Sequence, residues 1–308
     1  MINTWPKLFF PLLGALALTG CGTNIGPVDQ NDLAAEVPIS AAQSATMKRL
    51  SRFEQSQLSR GLMRTDGGGP DTPFDMRDIL RHFQDIAFYN EYDATRGFSR
   101  VSQASHLEKW TTQVRFNPVF GKSVDQTHAK LAKATVTKYV EKLSRITGHP
   151  MMVSERKPNF DVLFMGQDDR DQMDAFLASR GPKVGALAQQ IVAMMPQDVH
   201  CMVMAFSNAE KRRGYTQAIA IIRAEHPSLL RLSCIHEEIA QGLGLANDSP
   251  QARPSIFNDD EEFGLLTTHD ELLLRILYDP RLSAGMMPAE AAPIARTIAR
   301  ELLAATPS

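Results

Sequence analysis

The chain has no excess of basic residues, and several common functional signatures are missing from it. Its 308 residues carry a formal net charge of −2, so there is no electrostatic footprint for nucleic acid. No Gly-x-Ser-x-Gly elbow, phosphate-binding loop or dinucleotide fingerprint occurs in the sequence. Nothing after Cys21 is long and apolar enough to cross a bilayer. A nucleic-acid partner and a spanning helix in the body of the chain are therefore not expected.

Cysteine is scarce, with three in the chain, and the first one closes an N-terminal apolar run. Lys7 precedes the apolar residues 8–18, and Thr19 and Gly20 lead directly to Cys21. Secretory signals typically have a short basic region, an apolar core of about ten residues and small residues at the cleavage site. Because the run ends on a cysteine, it resembles a bacterial lipoprotein signal, which implies a diacylglyceryl group on Cys21. The alternative is an ordinary export signal with an incidental cysteine.

The lipoprotein interpretation fixes an expected location. The protein would be held on the periplasmic side of the cell envelope, with the lipid on Cys21 as its membrane attachment, and multiple acyl chains make such anchoring stable. Gly22 follows the cysteine, in place of the aspartate associated with inner-membrane retention in some bacteria. We therefore favour the outer membrane over the inner one.

The other two cysteines, Cys201 and Cys234, form an isolated pair. In an oxidising compartment such a pair favours a disulfide, with two buried free thiols as the alternative. Sequence alone does not place their Cα atoms within bridging distance.

Composition divides the chain into three segments. Residues 1–20 are the signal, residues 21–73 are predicted to be a flexible tether with a possible helix, and residues 74–308 are predicted to fold. The tether begins with a polar stretch that cannot bury enough surface to offset chain entropy. It ends near the glycine-rich residues 67–70, which are linker-like in composition.

Strand and helix patterns alternate beyond the tether. The predicted strands are residues 110–116, 160–165, 201–206 and 217–223. The predicted helices are residues 76–89, 125–147, 168–177, 229–243 and 289–304. The alternatives are a mixed segment for residues 76–89 and a strand end that enters a helix for residues 229–243. We expect Asn117, Pro118 and Gly121 to end the first strand, Leu131 to belong to the apolar stripe of the second helix, and residues 211–213 to form a turn. This order predicts an α+β (α/β-like) domain with a twisted mixed sheet backed by helices.

The stretch around His236 and Glu237 first suggests a zinc-protease helix with the pattern H-E-x-x-H. That motif works because two histidines four residues apart share one helix face and bind one zinc ion. Here the second position falls on Ala240, which has no donor atom. His236 alone is therefore interpreted mainly as a structural residue, with metal binding as the minor alternative.

A second alignment of the same stretch is more informative. Metzincin proteases carry H-E-x-x-H-x-x-G-x-x-H, and their glycine aligns with Gly244. The three zinc-ligand positions then fall on Glu237, Gln241 and Asn247, and the general-base position falls on Glu238. The chain thus resembles a metzincin-type scaffold, with its active-site-type helix near 235–246, in which every ligand histidine is absent.

Two downstream segments extend the resemblance. Residues 255–258 resemble the metzincin methionine turn with Phe257 in place of methionine, and residues 270–278 resemble the helix that follows it. A closer resemblance is to the bacterial domain-of-unknown-function family numbered 2927, over most of residues 75–305. It is carried by Phe116-Asn117-Pro118, Cys234, Glu237-Glu238, Gln241, Gly244, Asn247-Asp248, residues 255–258 and Leu277-Tyr278-Asp279-Pro280. That resemblance implies an exported, often lipidated protein.

Because the ligand positions lack histidine, the sequence does not identify a cofactor. Zinc prefers nitrogen, sulfur and carboxylate ligands, so a set containing two amides disfavours it, and no cofactor at all is one expectation. An oxygen-only set would suit calcium better, with Asp248 or the acidic residues 259–262 contributing. The alternative for residues 259–262 is a solvated loop.

These features support three functional hypotheses. The favoured one is an inactivated protease-like domain that binds a peptide or an envelope protein partner. The alternative is an atypical hydrolase with Glu238 as general base and a non-standard metal at Glu237, Gln241 and Asn247. The third is a purely structural lipoprotein. Enzyme chemistry predicts a concave pocket that contains Glu238 with a raised pKa, whereas a binding module predicts an open groove along an edge strand. A structural role predicts no concavity near Glu238.

Overall fold

The computed structural model describes residues 38–93, 97–207 and 214–305, with the backbone alone for residues 90–93 and 97–104. The signal segment, Cys21 and the basic residues 211–213 lie outside the described residues, so the predictions made for them stay predictions. Within the described ranges, no helix combines the length and the apolar character that crossing a membrane would require.

Helices and strands alternate along most of the described chain. The helices are α1 Ala41–Ser59, α2 Met76–Ala87, α3 Gln126–Thr147, α4 Arg170–Ala178, α5 Val184–Ala193, α6 Ser228–Gln241, α7 Thr268–Tyr278 and α8 Pro288–Ala304. The strands are β1 Tyr89–Asp93, β2 Gly97–Ala104, β3 Val114–Phe120, β4 Met151–Val153, β5 Phe160–Met165, β6 Cys201–Ser207 and β7 Tyr215–Arg223. Strands β1 and β2 form a separate antiparallel ribbon.

The main sheet has five strands in the order β4-β3-β5-β7-β6. Strands β4, β3, β5 and β7 run parallel, and β6 pairs antiparallel with β7 at the edge. The register places Phe116 beside Phe160, and Phe160 beside Ala218. The predicted α+β class with a mixed sheet flanked by helices is confirmed.

Both faces of this sheet are covered, because successive side chains of a strand point to opposite faces. Phe116, Val162 and Ala220 belong to the main core, which also contains the apolar residues of α2, α3, α6, α7 and α8. Leu163 and Ile219 belong to a second core with the apolar side chains of α4 and α5. Central strands buried on both sides are therefore nearly continuous apolar runs, as parallel sheets require.

Helix α3 confirms its predicted bounds, but one residue was assigned to the wrong face. Asp125 caps the helix by accepting hydrogen bonds from the backbone N–H groups of Thr127 and His128, both at 2.9 Å. Gly148 ends it in the left-handed conformation, with φ of 66°. Leu131, predicted to join the apolar stripe, is 61% exposed, and the neighbouring Ala132 is buried instead.

The prediction that Asn117 and Pro118 end the first strand is wrong. Strand β3 continues to Phe120, with Pro118 paired beside Val162 of β5. Proline is tolerated here because β4 pairs with β3 only as far as Phe116. Pro118 therefore lies at an open sheet edge, where its missing N–H group breaks no ladder hydrogen bond.

Helix α1, which falls in the segment predicted as a tether with a possible helix, contacts the folded body at several points. The backbone N–H of Ser40 donates to Asp168 Oδ2 at 2.7 Å. Glu54 Oε2 accepts from the backbone N–H of Leu230, also at 2.7 Å. Leu50 is fully buried, in a small cluster with Met63 and Leu230.

Candidate functional site

Helix α6 ends in a tight turn that only glycine allows. Gly244 has a φ of 124°, and a Cβ atom added there would lie 2.2 Å from the carbonyl oxygen of Glu108. The carbonyl of Gly242 accepts a hydrogen bond from Trp110 Nε1 at 2.8 Å, and the carbonyl of Leu243 accepts one from the Tyr278 hydroxyl at 2.8 Å. The turn therefore fixes the end of α6 against buried aromatic side chains.

The predicted general base and the first predicted ligand lie next to a disulfide. Cys201, at the start of edge strand β6, is bonded to Cys234 of α6, as the sequence favoured. Ligand atoms of Cys201, Glu237 and Glu238 all lie within 4.8 Å of one another. Cys234 is three and four residues before the two glutamates, so the helical spacing places all three on neighbouring faces. The sequence shows that spacing, but it does not show that Cys201 lies close to the two glutamates.

This cluster offers two carboxylates to a cation, because the sulfur of Cys201 is engaged. A disulfide sulfur is not a thiolate, and the thiolate is the form that binds metal strongly. Glu238 is 3% exposed, whereas Glu237 is half-buried. The carboxylate with more access to solvent is thus Glu237, in a predicted ligand position, rather than the predicted base.

The other two predicted ligand positions hold the loop that follows α6. Gln241 Nε2 donates to Asp248 Oδ1 at 3.1 Å. Asn247 Nδ2 donates to the carbonyl oxygens of Asp85 and Asp248, both at 2.9 Å, and so ties the loop to helix α2. The amide nitrogens of both residues therefore have a structural role, and their role as metal ligands stays a prediction.

His236 is half-buried and stacks against an aromatic ring of α3. Its ring lies 4.0 Å from the ring of Tyr139, with an interplanar angle of 5°. Its Nδ1 atom accepts a hydrogen bond from the backbone N–H of Leu266 at 3.1 Å. Burial, with a smaller effect from Lys142, lowers the pKa of His236 to about 3. The imidazole is therefore neutral at physiological pH and serves to join α6 to α3 and to the segment before α7.

The segment that resembles a methionine turn is anchored by one buried carboxylate. Asp270 accepts hydrogen bonds from the Ser255 hydroxyl at 2.6 Å and from the backbone N–H of Ile256 at 3.1 Å. It also accepts from the backbone N–H and the hydroxyl of Thr267, at 2.9 and 2.8 Å. Phe257, in the methionine position, is fully buried in the main core. Ser255 is thus committed to the turn rather than placed as a nucleophile.

A histidine pair lies beside this anchor. His269 Nε2 and His82 Nδ1 are 3.0 Å apart, and both side chains are buried. Burial, followed by the influence of His269, lowers the pKa of His82 to about 4. This pair packs α2 against the start of α7 and was not identified from the sequence, because the two residues are far apart in the chain.

The acidic run 259–262 is tied down through Glu262. That side chain pairs with Arg64 at 3.1 Å and with Arg253 at 2.5 Å. These contacts lower the pKa of the Glu262 carboxyl, with the hydrogen bond from Arg253 as the largest cause. Glu262 is therefore engaged in ion pairs with two arginines, which argues against its use as a calcium ligand.

Strand β6 forms a sheet edge beside the carboxylates. It spans Cys201–Ser207 and, among the described strands, pairs with β7 alone. The opposite edge strand, β4, has three residues, whereas β6 has seven. Cys201, Val203 and Ala205 are half-buried on the side of the main core that contains α6. The site therefore combines an extended edge, a disulfide that fixes one end of it and two adjacent carboxylates.

Comparison with known proteins gives one finding. A family model described as "Protein of unknown function (DUF2927)" matches residues 76–297, more than half of the chain. Neither the curated proteins nor the solved structures give a match. The matched range begins at α2 and contains the main sheet together with Cys201, Cys234, Glu237 and Glu238.

Proposed function

The chain belongs to the DUF2927 family, and from that premise we propose that it is a lipid-anchored envelope protein that binds an extended peptide segment along β6. The observation that carries the proposal is the outer edge of β6, seven residues long and fixed to α6 by the Cys201–Cys234 disulfide. An edge strand presents backbone N–H and C=O groups that can pair with another chain. Lipidation of Cys21 would hold this surface at the membrane.

Strand addition fits this edge better than the opposite one. A peptide that adds to a sheet gains affinity from main-chain hydrogen bonds and specificity from pockets for alternate side chains. Strand β4 is too short to pair with more than a few residues. On β6, the half-buried Val203 and Ala205 alternate with residues that face the second core. The edge therefore has the length for a bound strand, and its side chains alternate between the two faces of the sheet.

The ancestral activity we infer is that of a zincin-like protease whose chemistry has been lost. Support comes from the glycine turn after α6, the mixed sheet with an antiparallel edge and the turn anchored by Asp270. Against present catalysis, Glu238 is 3% exposed. A general base must lie within hydrogen-bond reach of the proton that it removes, directly or through one water. The hydrolase alternative has one observation in its favour, the adjacent carboxylates of Glu237 and Glu238.

Proline substitution on β6 tests strand addition. Alternate residues of an antiparallel strand direct their N–H groups to opposite sides, so Ala205→Pro and Phe206→Pro remove donors on different sides of β6. One variant should lose a ladder bond to β7 and unfold at lower urea concentration. The other should keep most of its stability but bind peptides at least tenfold more weakly. The peptides would first be selected on the full chain from a displayed heptapeptide library.

The two proline variants serve as controls for each other. The variant with the lower urea midpoint identifies the inward donor, and its binding loss is attributed to unfolding. If the stable variant binds the selected peptides as tightly as the original chain, the binding surface lies elsewhere and strand addition along β6 is wrong.

Restoring the histidines tests the zincin-like scaffold. The triple variant Glu237→His, Gln241→His and Asn247→His should bind about one zinc ion per chain, because three histidines are a standard zinc set. The measurement is elemental analysis after dialysis, with circular dichroism to show that the variant is folded despite the loss of the Asn247 contacts to Asp85. A folded variant without zinc would contradict the alignment. Stoichiometric metal in the unaltered chain, lost in Glu237→Ala, would instead support the hydrolase.

A further inference from the structure

A cavity lies at the carboxyl ends of β5 and β7, away from the residues of the α6 site. Its volume is about 200 Å³. It is lined by Ala42, Thr46 and Arg49 of α1, Gln167 after β5, Gln197 before β6 and Arg223 at the end of β7. Two of these residues are arginines and the only apolar one is alanine, so the cavity suits a polar anion better than an apolar ligand.

Arg223 is positioned rigidly but its charge is not matched by an ion pair. Its Nε atom donates to the carbonyl oxygen of Val199 at 3.2 Å. Its Nη2 atom donates to the carbonyls of Val199 and Pro196, at 3.1 and 3.3 Å. These acceptors are neutral, and no carboxylate in the described part of the chain lies within ion-pair distance of Arg223. The Nη1 atom has no hydrogen bond to a described residue and remains available to a ligand.

Arg49 supplies the second positive charge from the opposite wall. It is exposed on α1 and makes no ion pair or hydrogen bond with the described residues. Helix α1 is fixed by the contacts of Ser40 with Asp168 and of Glu54 with Leu230. The backbone that carries Arg49 is therefore held beside Arg223, and two like charges share one cavity. Such an arrangement is stabilised when an anion binds between them.

The groups around the cavity include one carboxyl and two histidines, and Glu225 interacts electrostatically with Arg223. Glu225 accepts a hydrogen bond from the backbone N–H of Gln167 at 2.6 Å, and burial raises the pKa of its carboxyl. Burial, with contributions from Arg49 and Arg223, lowers the pKa of His200 to about 4 against the opposing effect of Asp198. Burial likewise lowers the pKa of His226 well below its usual value. Both histidines are thus neutral, and the two arginines are the cationic side chains that line the cavity.

We propose that this cavity binds a phosphate group, held between the guanidinium groups of Arg49 and Arg223. Arginine is suited to phosphate because its planar fork donates two parallel hydrogen bonds. Gln167, Gln197 and Thr46 can supply neutral donors to the remaining oxygens. A carboxylate has fewer acceptor oxygens than the hydrogen-bond donors that line this cavity can engage. The phosphate could belong to a soluble ester or to a lipid headgroup, and the site is independent of peptide binding on β6.

Titration of the full chain with inorganic phosphate tests the proposal. We expect saturable binding by calorimetry, weakened at least tenfold in Arg49→Gln. The matched control is Lys48→Gln, which removes the same charge from an exposed neighbour on α1 that does not line the cavity. It should leave the affinity within about twofold. Because Arg49 and Lys48 are both exposed, neither variant should unfold, which circular dichroism checks.

Two further probes identify the source of the phosphate. Tighter binding of glycerol 3-phosphate than of monomeric short-chain phosphatidylglycerol indicates a soluble ester, and the reverse order indicates a headgroup. Either result supports the proposal if Arg49→Gln weakens the tighter probe. Absence of saturable binding to all three probes would overturn it. Equal weakening by Arg49→Gln and Lys48→Gln would also overturn it, because general surface charge would then explain the affinity.

Discussion

Replacing Asp270 with alanine is expected to lower the free energy of unfolding by about 3–5 kcal/mol, among the largest losses for a single substitution in this chain. The carboxylate is fully buried and accepts hydrogen bonds from Ser255, Ile256 and Thr267. Hydrogen bonds to charged groups contribute about 1.5–3 kcal/mol each, and donors left buried without a partner add a desolvation cost. Asp270→Ala removes an acceptor that three such donors depend on, while the Thr267 hydroxyl keeps the carbonyl oxygen of Pro254 at 2.9 Å as an alternative.

Urea unfolding measures this loss, and a second capping box provides its control. Asp78 holds the same position in α2 that Asp270 holds in α7, but it is only partly buried and accepts from the backbone N–H of Asp75 at 2.9 Å. Asp78→Ala should cost about 1 kcal/mol, as for an ordinary capping residue. Asp270→Asn should fall between the two, because the amide keeps one acceptor. Equal losses for Asp78→Ala and Asp270→Ala would show that the turn does not depend on the buried carboxylate.

Local signals in the sequence were sufficient for part of the fold. Helix α3 was predictable because Asp125 and Gly148 mark its ends chemically, through a side-chain cap and a left-handed residue. The side on which Leu131 lies was not predictable, since an apolar residue next to the stripe can face either the core or solvent. The prediction that Pro118 ends its strand failed for a related reason, because the effect of a proline on a strand depends on how far the neighbouring strand extends.

Elements with weak periodicity were missed. Strand β4 has three residues, too few for an alternating pattern, and it exists because β3 pairs with it. Helix α5 covers the second core with small and branched side chains and has neither a side-chain cap nor a charged first turn. The ribbon β1–β2 was likewise not anticipated. In each case, the element forms by pairing or packing with distant parts of the chain, and the local sequence does not specify those contacts.

The candidate site was likewise only partly predictable from the sequence. The helical spacing of Cys234, Glu237 and Glu238 follows from the sequence, and so does the glycine turn at Gly244. The position of Cys201 beside them depends on the register of β6 against β7, in which Cys201 faces Ile222. The near-complete burial of Glu238 also depends on long-range packing. An argument from residue types alone could therefore propose Glu238 as a base but could not test its access to solvent.

The disulfide is the second large contribution to stability. Removing it with Cys201→Ala and Cys234→Ala should lower the free energy of unfolding by about 3–4 kcal/mol. The estimate follows from the 33-residue separation of the two cysteines, since a cross-link restricts the unfolded chain more as the enclosed loop lengthens. Such a loss is a large fraction of the 5–15 kcal/mol typical of a folded domain. Urea unfolding of the double variant against the oxidised chain measures it.

Reduction of the unaltered chain separates the cross-link from the packing of the sulfur atoms. Cys234 is 1% exposed, so its replacement by alanine also removes buried volume, whereas a dithiol reductant breaks only the bond. The reduced chain should therefore lose nearly as much stability as the double variant, and the difference reports the packing term. Hydrogen exchange should accelerate first in β6, because the bond joins that edge strand to α6. A reduced chain as stable as the oxidised one, with β6 equally protected, would show that packing alone holds the edge in place.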